Sequence, residues 1–505
     1  MKVAIILVLA LLSSCAGALS QGLEGPLASA GENRPELVKV LVHYWQSGDS
    51  QKYQAARFLI ENMPGQGFAE LVFFDGDGNE VSYEALDYAD YKEARAAFES
   101  LEKEKGSIDY KKKRFDSDLQ TVSADFLIQH IDAAFSAWRE LPWAAEMSWD
   151  TFREHILPYR GSNEPLGLWR TEWRERIAGD ILAMSDASQP KEAAALINKE
   201  AGRLVRFREI FYLHPTDQGY DEMLKRGSGR CEDMSNMITF GMRANAVAVG
   251  QDYTPAWATR DNNHAWTALL GPDGRGDAPL STIAAKIYRK MFSIQPDAPT
   301  LHKGPGEELP GWLRSTHFTD VTDEYMSAHT FDFPLIEAPN PEHVFASLAV
   351  FNGGRWVGLA VGRVNHDSMM ARFEQIGGRI CYMPGYVRSG NIVPANAPFL
   401  LRQDGTRHIL DGGAGTCAVA MTTLRPEHGD ADTQSNYPEL KVQSGKTYEL
   451  FFWDGEWQSH GRKESGDKPV VFEELPINRL YWLVEDGSRK LERIFTVENG
   501  KPRYW

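Results

Sequence analysis

The spacing of the apolar residues changes at about residue 295, and this change restricts the folds that the chain can adopt. Before that position, apolar side chains recur at helical spacing, as in the stripe of Phe126, Ile131 and Phe135. After it, short β-rich runs such as residues 448–453 are separated by Gly, Asn and Pro, which is typical of strands joined by turns. A helical region that is followed by a series of strands indicates a multidomain α+β fold.

The length of 505 residues is enough for roughly two to four domains. We predict an N-terminal helical region over residues 15–120 and an α+β core with a helical lead-in over 121–300. A β-rich domain over 301–435 and a C-terminal antiparallel β-sandwich domain, or the strands that complete one, over 436–505 should follow. Within the first region, residues 80–113 are charged and weakly amphipathic, and we expect a peripheral helix there.

The first fourteen residues have the composition of an export signal. Lys2 precedes an apolar run over residues 3–12 that is too short to span a bilayer. Residues 12–16, Leu-Ser-Ser-Cys-Ala, resemble the lipobox of bacterial lipoproteins, in which the cysteine is lipidated and becomes the mature N-terminus. We therefore predict that residues 1–14 are removed and that Cys15 carries a lipid; a plain signal peptide cut elsewhere is the alternative. The predicted location is the periplasm, the outer membrane or the cell surface, with the N-terminal lipid as the only membrane contact.

The net charge of −16 is spread along the chain, and we expect no basic stripe that could neutralise phosphates. This charge argues against nucleic acid and anionic membrane surfaces as partners. The cysteines show no C-x-x-C spacing, which argues against structural zinc, and we expect no cofactor. Cys381 and Cys417 could pair in an oxidising compartment or remain buried free thiols.

Residues 227–235, Gly-Ser-Gly-Arg-Cys-Glu-Asp-Met-Ser, are the most specific chemical feature of the chain. The glycines at 227 and 229 permit a tight turn and a close approach of the backbone. An apolar face that follows predicts a helix with Cys231 in its first turn. There, the free N–H groups and the helix dipole favour a thiolate and can hold a developing oxyanion. The charges of Glu232 and Asp233 act against the thiolate.

His264 follows the cysteine by 33 residues and begins an apolar run over 264–270. We predict that this run is a strand, joined to a strand over 252–259 by a polar turn. With an ordinary pKa of about 6.5, His264 could form an ion pair with the thiolate and protonate a leaving group. An acidic side chain should orient the imidazole. Asp277 is our choice and Asp273 is the alternative.

The pattern of Gly229-x-Cys231 opening a helix, followed by a strand and by Asn-His-Ala-Trp at 263–266, resembles the core of transglutaminase-like cysteine hydrolases. The match covers roughly residues 205–290. The resemblance implies a papain-like arrangement in which Cys231, His264 and Asp277 form a triad that cleaves an amide bond. It also implies a polypeptide or glycopeptide substrate, water as the acceptor, and the backbone N–H of Cys231 in the oxyanion hole.

The flanking regions, including residues 58–64 and 492–496, look like those of large secreted proteins of Bacteroidetes type. One departure from the family pattern concerns the aspartate. Family members usually carry an aromatic-rich strand before it, and residues 271–277 contain no aromatic residue. The aromatic-rich β region after residue 300 also supports a second interpretation, a non-catalytic surface lipoprotein that binds glycans or peptides.

Overall fold

The protein contains both helices and strands, and nearly all of its strand pairs are antiparallel, as expected for a multidomain α+β protein. A computed structural model describes residues 22–186, 188–277, 283–426, 428–429, 433–434, 439–488 and 491–505. The predicted signal peptide and Cys15 lie outside the described residues. No helix in the described ranges has both the length and the apolar character that crossing a membrane requires.

The helices lie almost entirely in the first half of the chain. In chain order, they are α1 Glu24–Ser29, α2 Arg34–Ser47, α3 Ser50–Glu61, α4 Tyr91–Lys105, α5 Asp118–Thr121, α6 Ala124–Glu140, α7 Trp149–Thr151, α8 Trp169–Leu182, α9 Pro190–Leu204, α10 Tyr220–Arg226, α11 Cys231–Ala244 and α12 Thr322–Tyr325. A π-helical turn over Phe152–Ile156 continues α7.

The strands are concentrated after residue 300. In chain order, they are β1 Gly67–Phe74, β2 Glu80–Val81, β3 Asp109–Ser117, β4 Arg206–Phe207, β5 Ser228–Gly229, β6 Val249–Thr254, β7 His264–Leu270, β8 Gly276–Asp277, β9 Tyr288–Lys290, β10 Phe318–Asp320, β11 Ala328–Pro334, β12 Phe345–Asn352, β13 Arg355–Asn365, β14 Met370–Gly377, β15 Ile380–Arg388, β16 Asn391–Pro394, β17 Phe399–Leu401, β18 Arg407–Ile409, β19 Thr416–Met421, β20 Thr423–Arg425, β21 His428–Gly429, β22 Thr433–Gln434, β23 Leu440–Lys441, β24 Thr447–Trp453, β25 Trp457–Glu464, β26 Val470–Pro476, β27 Tyr481–Glu485, β28 Ile494–Glu498 and β29 Lys501–Tyr504.

The contacts within the chain divide it into two compact units. Unit 1 comprises the described chain up to Gln251, together with Ala265–Asp277 and Lys290–Ile294. Unit 2 comprises Asp252–His264, the described part of Ala278–Arg289, and Gln295–Trp505. Because the segments between residues 252 and 294 alternate between the units, no single cut in the chain separates them.

One core of unit 1 is formed by α2, α3 and α6. Helix α6 buries Leu127, Ile131, Ala134 and Phe135, which recur at the spacing of one helical face. Phe126 is partly buried and packs against the same core, so the stripe predicted from the sequence is confirmed. Each fully buried side chain of this size contributes about 1.5–3 kcal/mol relative to an exposed one.

A second core of unit 1 holds helix α11 against α8 and α9. The ring of Phe240 on α11 stacks on Trp169 at 4.8 Å, and Trp173 and Ile197 are fully buried beside it. The two tryptophans, four residues apart on α8, therefore serve in packing. This core fixes the axis of the helix that begins at Cys231.

The charged segment over residues 80–113 corrects one expectation. Helix α4 occupies part of it, but β3 follows and pairs antiparallel with β1 along its whole length. The sequence favoured a helix because most β3 side chains are exposed on both faces, so the strand shows no apolar alternation. Strand β3 also carries four consecutive cations over 111–114. Two of them form ion pairs, Lys113 with Glu80 at 2.8 Å and Arg114 with Asp116 at 3.2 Å.

Unit 2 contains a large antiparallel sheet with the order β11-β14-β13-β12-β15-β17-β18, and β16 pairs with β15. Its apolar core includes Phe333, Leu348, Phe373 and Tyr382. A second antiparallel sheet, with the order β25-β24-β27-β28-β29, lies nearer the C-terminus. Strand β24 follows the predicted run over 448–453 to within one residue at each end.

Candidate functional site

The turn before Cys231 requires both of its glycines. Helix α10 ends at Gly227, whose φ of 62° lies in the left-handed region that other residues rarely adopt. At Gly229, an added Cβ would lie 2.5 Å from the Cβ of Asp233. The roles predicted for the two glycines are therefore confirmed. Helix α11 begins at Cys231, which places the thiol in the first turn as expected.

Asp233 fixes the backbone of this turn. Its carboxylate accepts hydrogen bonds from the backbone N–H of Arg230 at 2.8 Å and of Gln218 at 3.1 Å. Burial raises the pKa of Asp233, while the charge of Arg230 acts in the opposite direction. A carboxylate engaged in this way caps the helix and orients the residue that precedes the thiol.

Cys231 is a free, half-buried thiol. Burial raises its pKa above the ordinary value, and the Glu232 carboxylate adds to the rise. The backbone N–H groups of Ala265 and Glu232 and the charge of Arg230 lower this pKa and so act in the opposite direction. Burial is the largest of these influences, so it acts against the thiolate that the helix terminus favours.

The charge of Glu232 is balanced locally by Lys290, whose Nζ forms an ion pair with the Glu232 carboxylate. Both side chains are three-quarters buried or more. This pair places a cation beside the first turn of α11, an arrangement that the sequence did not reveal because 58 residues separate the partners.

A chain of hydrogen bonds links the turn before Cys231 to other polar residues of unit 1. The Arg230 guanidinium pairs with Asp217, and the Asp217 carboxylate accepts the Ser162 hydroxyl at 2.8 Å. Ser162 Oγ in turn accepts Asn236 Nδ2 at 2.9 Å, and Gln251 Nε2 donates to Asn236 Oδ1 at 2.6 Å. Burial acts to raise the pKa of Asp217, but the charges of Arg230 and Lys290 hold this pKa below its usual value. These polar residues were missed because no motif links them along the sequence.

His264 belongs to unit 2 and is the first residue of β7, as predicted. Its ring is half-buried and stacks on Trp257 at 5.9 Å, and the Arg260 guanidinium lies 4.3 Å from the same indole ring. Burial and the charge of Arg260 lower the pKa of His264 to about 4. A pKa this low favours the neutral imidazole near pH 7 and acts against the predicted ion pair with a thiolate.

The turn that leads to His264 is held by a distant residue, Asn352 at the end of β12. Its Nδ2 donates to the carbonyl groups of Trp257, Arg260 and Asn262 at 3.0, 3.1 and 2.9 Å. Arg493 reinforces the turn by donating to the carbonyl of Ala258. Sequence analysis did not identify Asn352 because about 90 residues separate it from the turn.

Asp277 occupies a different environment from the one we expected of an orienting carboxylate. It lies in β8, opposite Leu269, and its carboxylate pairs with Lys191 at 2.9 Å. Its side chain is 69% exposed. Leu269 is four residues along β7 from Ala265, and this spacing corresponds to about 13 Å in a strand. Asp277 therefore pairs with β7 far from the end of the strand at which Ala265 lies. The alternative, Asp273, accepts the backbone N–H of Arg275 within a turn at 3.1 Å.

Two further cysteines, Cys381 and Cys417, lie within the described ranges. Cys381 and Cys417 are free thiols, so the possibility of a disulfide between them is not realised. Across the described ranges, no group of three or more His, Cys, Asp or Glu side chains is arranged to hold a metal ion.

Comparisons of the chain with protein-family models, with curated proteins and with solved structures gave no match. The functional assignment therefore depends on the geometry around Cys231 and on the motif that surrounds it.

Proposed function

We propose that this protein is a transglutaminase-like cysteine hydrolase that cleaves an amide bond in a polypeptide or glycopeptide. Cys231 is the nucleophile and His264 the general base and acid. The observation that carries the proposal is the position of Cys231 as the first residue of α11, where a free, half-buried thiol lies among the N–H groups of a helix N-terminus. The proposal includes a papain-like core over roughly residues 205–290, β-sandwich domains after it, and export as a lipoprotein anchored through Cys15.

Acylation begins from a neutral thiol and a neutral imidazole. The Cys231 sulfur attacks the substrate carbonyl carbon while His264 accepts the thiol proton, so the thiolate forms only as the carbon–sulfur bond forms. The carbonyl oxygen becomes an oxyanion, which the N–H groups at the start of α11 can stabilise. The carbon–nitrogen bond then breaks, and His264 returns its proton to the leaving amine.

Deacylation restores the enzyme. Water attacks the thioester carbonyl carbon as His264 accepts a proton from it, and the carbon–sulfur bond breaks. The proton on His264 returns to the sulfur, and a carboxylic acid product leaves. The lowered pKa of His264 keeps the imidazole unprotonated at the start of each half-reaction, but it also makes His264 a weaker base than an ordinary histidine.

The third member of the triad is the least supported part of the proposal. Asp277 is the acid that the motif offers, and its exposed ion pair with Lys191 supports a surface role better than an orienting one. We therefore assign the chemistry to Cys231 and His264, and Asp277 remains a predicted member that a single substitution can test.

The test is acyl-enzyme trapping with the full-length protein. A library of peptide and glycopeptide amides is incubated with wild type, Cys231→Ala, His264→Gln and Cys417→Ala, and acid-quenched protein is examined by mass spectrometry. We expect hydrolysis and a thioester adduct on Cys231 in the wild type and in Cys417→Ala, the matched control at another free cysteine. Hydrolysis that persists in Cys231→Ala would refute the proposal.

A non-catalytic binding role is the second candidate, and the raised pKa of Cys231 together with the exposed position of Asp277 favours it. In that case, the β region binds glycans or peptides and the thiol has no chemical role. Binding to a glycan or peptide array that is unchanged in Cys231→Ser, with no hydrolysis of any library member, would support this alternative.

A further inference from the structure

Unit 2 contains a cavity of about 280 Å³ that has no part in the proposed hydrolysis. Tyr288, Phe318 and Phe345 form an aromatic part of its lining. Typical ligand pockets measure about 300–1,000 Å³, so this cavity suits a small molecule rather than a chain segment. Its charged lining residues are Lys286, Asp297, Asp320, Arg363, Arg372 and Glu374.

Four of these six charged residues compensate one another. Lys286 is only 3% exposed, and its Nζ pairs with the Asp320 carboxylate and donates to the backbone carbonyl of Glu374 at 2.7 Å. Arg372 lies 3.4 Å from the Glu374 carboxylate on the same strand. Arg363 and Asp297 are therefore the two charged lining residues whose charges no neighbouring side chain compensates in the described ion pairs.

Arg363 lies beside a second guanidinium group, that of Arg372, whose charge Glu374 and Asp332 offset. It lies on β13 directly opposite Arg372 on β14, and Phe345 on β12 lies opposite it on the other side. Like charges that face each other across a strand pair are destabilising. No described ion pair includes Arg363, and its guanidinium stacks over the Phe345 ring at 5.4 Å. An anion that binds Arg363 would therefore also lie near the Arg372 guanidinium.

Asp297 supplies the opposite charge. It is exposed in the loop before a short 3-10 helix that begins at Pro299, and it takes part in none of the described ion pairs. The cavity thus combines one uncompensated cation, one uncompensated anion and an aromatic wall. A ligand that carries both charges and an apolar group satisfies all three.

We propose that this cavity binds a free α-amino acid with an aromatic or large aliphatic side chain. The ligand carboxylate binds Arg363, with Arg372 beside it, in the planar geometry that guanidinium groups favour. The ammonium group binds the Asp297 carboxylate. The side chain packs against Tyr288, Phe318 and Phe345, which accounts for the apolar wall.

Three probes of one shape separate the contributions of the two charges. L-phenylalanine carries both, 3-phenylpropionate lacks the ammonium group, and phenethylamine lacks the carboxylate. Isothermal titration of the full-length protein should show that L-phenylalanine binds about tenfold or more tightly than either analogue, since each charge-assisted contact contributes at least that factor. Arg363→Gln should reduce the affinity for L-phenylalanine to that of phenethylamine, and Asp297→Asn should reduce it to that of 3-phenylpropionate.

Arg355→Gln on the same strand and Asp367→Asn in the following turn are matched controls, because both residues are exposed and neither lines the cavity. They should leave all three affinities unchanged. Thermal unfolding checks that each variant is folded. The proposal is overturned if L-phenylalanine does not bind saturably, if 3-phenylpropionate binds equally well, or if the control variants lose as much affinity as Arg363→Gln.

Discussion

Replacing Asn352 with alanine should loosen the turn that precedes His264 and destabilise unit 2. The Asn352 side chain is 9% exposed and contacts this turn through both ends of its amide. Its two Nδ2 hydrogens are shared among three backbone carbonyl groups, and its Oδ1 accepts the backbone N–H of Asn262 at 3.2 Å.

The size of the effect follows from the number of hydrogen bonds. Two Nδ2 hydrogens and one acceptor allow about three full hydrogen bonds, and each contributes about 1 kcal/mol net, so Asn352→Ala should lose about 3 kcal/mol. For a domain of about 150–250 residues, 1 kcal/mol corresponds to roughly 2–4 °C in Tm, so the transition of unit 2 should fall by about 6–12 °C. Asn352→Asp should lose at least as much, because a carboxylate oxygen would replace the donor that faces the carbonyl groups.

Differential scanning calorimetry and urea unfolding measure this loss. Asn198→Ala is the matched control, because Asn198 is exposed on α9 and should change the free energy of unfolding by no more than about 0.5 kcal/mol. If Asn352→Ala unfolds within about 0.5 kcal/mol of wild type, or no earlier than Asn198→Ala, Asn352 does not hold the turn.

Three further predictions concern the site. The pKa of His264 is about 4 in the folded state and about 6.5 in the unfolded state. Between these pH values the unfolded state therefore binds more protons than the folded state. The stability that the neutral ring contributes is complete above pH 6.5. This contribution should fall by about 3 kcal/mol as the pH drops to 4. The free energy of unfolding, measured in urea, should therefore differ between wild type and His264→Gln by a different amount at pH 7 than at pH 4.5. The same difference at both pH values would contradict the lowered pKa. Because burial and Glu232 raise the pKa of Cys231, the rate at which iodoacetamide labels Cys231 should increase with rising pH. Glu232→Gln should be labelled faster than wild type at pH 8, as measured by peptide mass spectrometry. An unchanged rate would show that Glu232 does not raise the pKa of Cys231. Asp277→Asn should change the free energy of unfolding by less than about 0.5 kcal/mol, since the ion pair of Asp277 with Lys191 is exposed. It should lower kcat/KM by less than about tenfold. A loss near 10⁴-fold would instead assign Asp277 to the triad.

The features of the site that depend on local sequence could be predicted. Helix α11 begins at Cys231 because the preceding glycines form a turn and an apolar face follows, and both signals lie within a few residues. Strand β7 matches the predicted run from His264 to Leu270 because its apolar residues are contiguous. The preceding strand was placed several residues too late, since β6 ends at Thr254 and the chain then turns.

The features that depend on contacts between distant residues could not be predicted. The pKa of Cys231 depends on how deeply the thiol is buried, which no local pattern shows. The anchoring of the turn by Asn352 and the pairing of Glu232 with Lys290 join residues that are far apart in the chain. Strand β3 was missed for the same reason, because its pairing with β1 determines its conformation more than its own composition does.

The alternation of the chain between its two units has a consequence for synthesis and export. Unit 1 is complete only when residues as far as Ile294 are present. At about 5–20 residues per second, the ribosome needs roughly 2–9 s to add the residues between Gln251 and Ile294. The N-terminal half therefore cannot finish folding as soon as it is made. If residues 1–14 are the export signal that we predict, this delay would leave the chain unfolded for long enough to enter a secretion channel.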